Sequence, residues 1–148
     1  MSRTSSPDCP EQGWLFASIS GIPAFLIYAI AGAALLAIFG AIYVHLTRHR
    51  EIGLIREGNV AAAAAYAGNL IGFSIPLSRA IQQASSIPDL VIWAAVALIF
   101  QFLIYLAVQS FLLPDLSGRI ERGELAAGVT LGGASIAGGM INAASMTL

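Results

Sequence analysis

The chain contains few of the residues on which soluble enzymes depend. Of its 148 residues 10% are charged, lysine is absent, and Cys9 is the single cysteine. One cysteine excludes an intrachain disulfide and a multi-thiolate metal site. His45 and His49 stand one helical turn apart but have no third ligand, so no metal site is predicted. Without a phosphate loop, a metalloprotease motif or a nucleophile elbow, we expect no enzymatic activity and no cofactor.

Hydrophobic residues dominate what is present. They make up 57% of the chain, and the mean hydropathy is +0.81, a balance that favours a membrane protein over a soluble domain. A helix needs about 20 apolar residues to cross the roughly 30 Å hydrocarbon core. Four stretches are long enough, at residues 22–46, 59–83, 88–112 and 124–146.

The second half of the chain repeats the first at a shift of 65 positions. The Ile-Pro pair at 22–23 falls on the pair at 87–88, and segment 55–62 falls on 120–127. Each proline of these pairs suits the first turn of a helix. A two-span repeat returns the chain to its starting side, which relates the halves by an axis along the membrane normal. We predict an all-α membrane protein of four transmembrane helices, built as two parallel two-helix repeats (22–83 and 87–148) after a polar segment (1–21).

The arginines predict the orientation in the membrane. Five of the seven lie in the two loops that share a side, namely Arg48, Arg50, Arg56, Arg119 and Arg122, whereas Arg3 and Arg79 lie on the other side. The positive-inside rule then places the loops in the cytoplasm and both termini in the periplasm. Acidic residues interleave with these arginines and nearly neutralise the loops, so no nucleic-acid partner is indicated. The candidate face for a cytoplasmic protein partner comprises Arg56, Glu57, Arg119 and Arg122.

Polar side chains inside the spans are the first candidates for a functional site, because hydrocarbon offers them no partners. Gln101 lies near the middle of the third span with Tyr105 on the same face, and Asn69 lies near the middle of the second. Asn142 lies toward the outer end of the fourth span, with Ser135 within reach of its face. These residues either pair helices through hydrogen bonds or line a path for a solute.

A proline inside the second span marks a candidate bend. Pro76 should free the carbonyl of Gly72 and bend the helix, which makes residues 72–79 the expected irregular segment. Arg79 lies beside the bend at the outer end of the span. It either snorkels to the interface or forms an outer mouth that attracts anions, with Asp89 as its nearest acidic partner in sequence.

Small residues recur at four-residue spacing on three of the predicted helices. Such stripes let helix backbones approach closely, and some also serve as surfaces for a partner subunit. We expect packing here, with a surface for a partner copy in a homo-oligomer, or a thinner pore wall, as the further uses. The stripes are Ala33, Ala37 and Ala41 on the first helix, Gly68 and Gly72 on the second, and Gly128 and Gly132 on the fourth.

Motifs spread over the chain from about residue 22 to the C-terminus resemble one bacterial family. They include Gly58-Asn59 after the first loop, Pro76-Leu77-Ser78, Ile87-Pro88-Asp89, Ala126-Ala127-Gly128 and the ending at 142–147. The resemblance is to domain of unknown function 350, and it implies a four-helix, multi-pass inner-membrane protein without an established activity. Some members resemble components of gene neighbourhoods that encode phage-shock-type membrane coat proteins and glutathionylspermidine-type ligases.

Three functions from different classes come into question: an enzyme subunit is the least favoured, because no acid, base or nucleophile is placed for chemistry, and two others remain open. The first is a non-enzymatic membrane component or adaptor in envelope stress or membrane maintenance, favoured by the small-residue faces and the paired Arg/Glu loops. The second is a homo-oligomeric channel or transporter for a small ion or solute, favoured by Gln101, Asn69 and Pro76. Assembly matters to both, since four short-looped helices bury little polar surface.

Overall fold

The chain folds into helices alone over the part that the structure describes. The computed structural model describes the backbone of residues 10–46 and 51–146, and the side chains of residues 19–46 and 52–146. Cys9, His49, Arg3, Arg48 and Arg50 lie outside the described residues. The α-helices are α1 (Pro10–Leu46), α2 (Glu51–Arg56), α3 (Val60–Gln83), α4 (Ile87–Ala107), α5 (Leu116–Glu121) and α6 (Leu125–Ser145), and a π-helical segment (Val108–Leu112) continues α4.

Four of these helices are long and apolar enough to cross a membrane, which confirms the predicted number of spans. The spans are Ile19–Leu46, Val60–Gln83, Ile87–Leu112 and Leu125–Ser145. They agree with the sequence prediction within three residues at each end. Their connections at α2 and α5 lie on one side, which we call the loop side. The opposite side, where α3 turns into α4, is the far side.

The first helix begins earlier than its sequence predicts. Pro23 lies inside α1, which starts at Pro10, so the prediction that Pro23 marks the first turn is wrong. Pro10 is itself the first helical residue, a position at which the missing N–H has no cost. Pro88 does lie in the first turn of α4, as predicted. There Ser86 caps the helix, because its hydroxyl oxygen accepts from the Asp89 backbone N–H.

Glycines let α3 and α6 lie against each other backbone to backbone. A Cβ atom on Gly68 would overlap the Cα of Gly132, and one on Gly128 would overlap the carbonyl of Ala61. The residue numbers of the contacts increase together on the two helices, from Ala61 with Gly128 to Gly68 with Gly132. The helices α3 and α6 therefore run parallel from the loop side. The glycine stripes on these helices therefore serve packing, as their spacing predicts.

The alanine stripe on α1 has a different environment. Ala33, Ala37 and Ala41 are exposed on the surface of the single chain, so this stripe does not pack within it. The buried face of α1 carries Phe39 and Tyr43 instead. Phe39 stacks on a phenylalanine of α3 with its ring centroid 4.1 Å away. Thus α1 attaches through aromatic side chains, whereas α3 and α6 meet through backbone.

Both loop-side turns are built alike at positions 65 residues apart. The helices α2 and α5 each have six residues, and a glycine with positive φ follows each of them: Gly58 (φ 88°) and Gly123 (φ 76°). A left-handed backbone of this kind favours glycine because other residues clash there. The next residue in each half, Asn59 or Glu124, precedes a spanning helix. These shared boundaries support the predicted two-repeat organisation, which stays a prediction.

The irregular segment lies in the third span rather than the second. Residues 72–79 remain helical through Pro76, whereas Val108–Leu112 forms a π-helix that Leu113 closes by donating to the Val108 carbonyl at 2.9 Å. Pro114 disfavours α-helical geometry at the residue before it, so the helix ends there as predicted. Asp115 then takes a left-handed conformation, φ 57°.

Candidate functional site

Asn69 joins three of the spanning helices near the middle of the bundle. Its Nδ2 donates to the Tyr43 hydroxyl of α1 at 3.1 Å and to the Ala65 carbonyl at 2.9 Å. Its Oδ1 accepts from the Ser135 hydroxyl of α6 at 2.7 Å. The amide group of Asn69 thus has partners for both of its N–H groups and for its oxygen, and it links α3 to α1 and α6 by hydrogen bonds.

Gln101 brings α4 into the same cluster. Its Nε2 donates to the Ser135 backbone carbonyl at 3.3 Å, and the side chain fits there because Gly72 has no Cβ, which would lie 2.6 Å from that nitrogen. The other amide atom, Oε1, is buried and makes no hydrogen bond to any residue that the structure describes. An unpaired buried carbonyl is costly in a membrane interior. The Oε1 atom of Gln101 is therefore an acceptor for which the described residues supply no donor.

Two adjoining cavities lie between α1 and α4 on the loop side of this cluster. The inner one, about 20 Å³, is lined by residues that include Asn69, Gln101 and Tyr105. The second, about 240 Å³, is lined by residues that include Tyr105, Gln109 and Ser117. Three of the four predicted path residues therefore border one cleft. We call these two cavities together the α1/α4 cleft.

Asn142 is not part of this cleft. It is buried in α6, and its Nδ2 has no hydrogen-bond partner among the described residues. Ser135, which its spacing placed within reach of Asn142, bonds to Asn69 instead. The reason is that α6 packs against α3 at the level of Ser135, where Gly72 allows close approach.

Sequence reasoning missed the roles of Ser135 and Tyr43 in the cluster. Both are buried, and each contributes a hydroxyl to the amide of Asn69. The signal that could have found Ser135 is its position on the glycine face of α6, three residues after Gly132. Tyr43 had no such signal, since a tyrosine near the end of a span is typical of the membrane interface.

The residues of the predicted bend and mouth run along α3 from Gly72, near the middle of the bundle, to Arg79 toward the far side. The Gly72 carbonyl, which Pro76 cannot bond, abuts Gly139 of α6, where a Cβ would overlap it. Arg79 donates to Gln82 Oε1 at 3.2 Å. Asp89, its candidate partner, instead accepts from the Ser85 backbone N–H at 3.0 Å and so helps to cap α4.

The four loop residues predicted to face a partner divide into two kinds. Arg119 donates to Glu124 through Nε at 2.7 Å and also through Nη2, which forms an ion pair. This hydrogen bond lowers the pKa of the Glu124 carboxyl and raises the pKa of Arg119. Arg56 and Glu57 are exposed.

Arg122 belongs to the exposed kind. It lies 3.4 Å from Asp115 in a solvent-exposed ion pair, and such pairs contribute little to stability. Arg119 is therefore a structural residue of the turn, whereas the other three form an accessible surface. Among the described residues, no group of three or more His, Cys, Asp or Glu side chains could hold a metal.

Known proteins similar to this chain are membrane proteins of unknown function. A family model described as Domain of Unknown Function (DUF350) matches residues 17–146. Two relatives, both called "UPF0719 inner membrane protein YjfL", come from Escherichia coli strain K12 and Escherichia coli O157:H7. Each is 42% identical over 129 residues, which covers 87% of this chain and 97% of the relative. No solved structure matches the chain.

Proposed function

Since the chain belongs to the DUF350 family, whose matched relative is named an inner membrane protein, we propose that it is a non-enzymatic inner-membrane component whose loop side docks a cytoplasmic protein. The loops lie in the cytoplasm and both termini in the periplasm under this proposal, as the arginine distribution indicates. The role belongs to envelope stress or membrane maintenance.

The observation that carries the proposal is a loop side held in a fixed arrangement. Asn59, which caps α3, also donates through Nδ2 to the carbonyls of Ile120 at 2.8 Å and Glu121 at 3.3 Å. These hydrogen bonds tie the start of α3 to the end of α5. Leu116 and Ile120 of α5 are buried against the alanines with which α3 and α6 begin. The two short helices are thereby fastened to the close-packed pair.

A fixed arrangement of exposed charges suits a protein partner. Arg56, Glu57 and Arg122 project from this surface with both signs represented. A surface that carries both signs of charge orients and steers a protein partner with the complementary charges, and it gives specificity more than net attraction. A nucleic acid or an anionic lipid surface would instead call for a clear excess of basic residues.

Charge reversal tests the docking face. We expect Arg56→Glu combined with Arg122→Glu to remove a soluble protein from complexes extracted into native nanodiscs, because like charges would then oppose the partner. The measurement is the mass of the intact complex. Arg79→Glu, a reversal on the far side, should leave that mass unchanged. The proposal fails if both sets of complexes are identical, or if wild-type protein carries no second protein.

The α1/α4 cleft supports a second candidate, a homo-oligomeric channel or transporter. A route through one copy meets the backbone contact between α3 and α6, so any complete path would need several copies. Flux of ions and small solutes in proteoliposomes should then change with Gln101→Leu, which replaces the polar end of the cleft. Unaltered flux would count against this lining.

A further inference from the structure

The α1/α4 cleft runs from the loop side to the middle of the bundle. Its two cavities share Leu46, Phe102 and Tyr105 as walls. The wider cavity lies beside Gln109 and Ser117, at the level of the short helix α5. The narrow one ends at Gln101, close to the midpoint of the span Ile87–Leu112. The cleft thus crosses about one leaflet.

The inner end of the cleft has a buried hydrogen-bond acceptor for which the described residues supply no donor. Gln101 is 2% exposed, and its Oε1 has no partner among the described residues. The inner cavity, about 20 Å³, has room for roughly one water molecule. Polar side chains of Asn69 and Tyr105 also border it. An acyl chain would fill the space but could not donate to Gln101.

The walls favour neutral molecules over ions. The described residues that line the two cavities are either apolar, among them Leu46 and Phe102, or polar without charge, namely tyrosine, glutamine, asparagine and serine; none of the described lining residues is charged. An ion would lose its hydration without meeting an opposite charge, which is expensive in a low-dielectric site. A neutral polar molecule only exchanges hydrogen bonds, and Gln109 and Ser117 offer these along the route.

We propose that the α1/α4 cleft is a blind aqueous vestibule, open on the loop side, that admits small neutral hydrogen-bonding solutes to its wider cavity and water as far as Gln101. It is blind because Gly68 and Gly72 of α3 contact the α6 backbone behind it. Gln101 forms its floor, and its Oε1 is the acceptor for the innermost water. The vestibule does not depend on the docking face proposed above, and it exists whether or not a solute crosses the membrane.

Alkylation of introduced cysteines tests the vestibule. In a Cys9→Ser background in nanodiscs, Tyr105→Cys places a thiol in the cleft, and Leu103→Cys places one on the exposed face of the same helix. The probes are iodoacetamide, which is neutral, and iodoacetate, which is anionic, with each rate measured by intact mass and divided by the rate for free glutathione. Should Tyr105→Cys fail to fold, Gln109→Cys gives the same comparison in the wider cavity.

Water in the cleft predicts two rate ratios. First, we expect iodoacetamide to modify the cleft thiol at least ~10-fold faster than the Leu103→Cys thiol. Second, with each rate divided by the rate for free glutathione, the cleft thiol should react at least ~10-fold faster with iodoacetamide than with iodoacetate. Equal rates at the two positions would mean that lipid fills the cleft. Equal rates for the two reagents would mean that ions enter. Either result overturns the proposal.

A bulky residue at the opening sharpens the test. Ser117→Trp narrows the wider cavity and should slow modification of the cleft thiol several-fold. Ser110→Trp, which adds the same side chain at an exposed position on the π-helical segment, should not. If both tryptophans leave the rate unchanged, the reagent reaches the thiol from elsewhere and the loop-side opening is wrong.

Discussion

The four spanning helices form two pairs that differ in composition and environment. In 18-residue stretches of α3 and α6 the mean hydropathies are 1.5 and 1.3, and 50% and 44% of the residues are buried. In the corresponding stretches of α1 and α4 the mean hydropathies are 2.4 and 2.5, but only 17% and 22% of the residues are buried. In a membrane the more hydrophobic helices are thus the outer ones, because lipid rather than protein surrounds them.

The difference shows what holds each pair in place. Lipid provides no hydrophobic drive between helices, so the inner pair depends on close backbone contact and on the bond between Asn69 and Ser135. The outer helices attach through side chains that can adjust. A Cβ on Gly32 of α1 would meet the flexible end of Ile81 at 2.8 Å, whereas one on Gly68 would meet the backbone of Gly132.

The largest effect should come from adding a methyl group between the inner helices. Gly68→Ala forces α3 and α6 apart because no rotamer relieves an overlap with backbone. We expect a loss of about 2 kcal/mol or more in the free energy of unfolding. The measurement is reversible unfolding in mixed detergent micelles, followed by circular dichroism.

Two further glycines serve as controls for that comparison. On α6, Gly133 has no described atom within 4 Å of the position that an added methyl group would occupy, and Gly133→Ala should change stability by less than about 0.5 kcal/mol. Gly32→Ala on α1 should fall between the two, because Ile81 can move. Equal losses for all three substitutions would remove the distinction between the inner and outer pairs.

A smaller effect is expected from the polar link within the inner pair. Ser135→Ala removes the donor to Asn69 Oδ1 and leaves that buried acceptor unpaired, at a cost of about 1 kcal/mol. Ser145→Ala removes a hydroxyl that bonds locally, to the Ile141 carbonyl, at an exposed position. The same micelle assay should show almost no change for this control. A loss as large as that of Ser135→Ala would argue against a special role for the cluster.

The smallest effect concerns how the two inner helices begin. Asn59 caps α3 by accepting from the Ala62 N–H at 3.0 Å, whereas Glu124 at the same place before α6 pairs with Arg119. The pairing lowers the pKa of Glu124 in the folded state. The ion pair therefore stabilises the folded protein at pH values above the pKa that Glu124 has in the unfolded chain. It is lost as pH falls through the lower, folded value.

A pH series measures that dependence. Unfolding of wild-type protein should become slightly easier as pH drops below about 4.5, and Arg119→Gln should remove this component. An unchanged slope in the variant would show that Glu124 gains nothing from the pair. Asn59→Ala is the comparison at α3: it removes the cap together with two hydrogen bonds to α5, so its effect should be larger, and it should not depend on pH because neither side chain titrates.

The candidate site was only partly predictable from single helices. The sequence identified Asn69, Gln101 and Tyr105 because a polar residue within an apolar span can be recognised from that one helix alone. It could not assign Ser135 to Asn69, since that pairing depends on the register between α3 and α6. That register is fixed by glycine contacts 60 or more residues apart in sequence.

Hydropathy and residue spacing were enough to predict the number of spans, their limits within a few residues, the charges of the loop side and the glycine face of the inner pair. These features are local, because hydropathy and spacing act within one helix. Three features emerged from the folded chain instead: the alanine stripe of α1 faces outward, α1 continues through Pro23, and the Gln101 acceptor lies at the end of a cleft without a partner among the described residues. These features depend on which helix lies opposite, and in lipid that choice follows from shape and hydrogen bonding between distant segments.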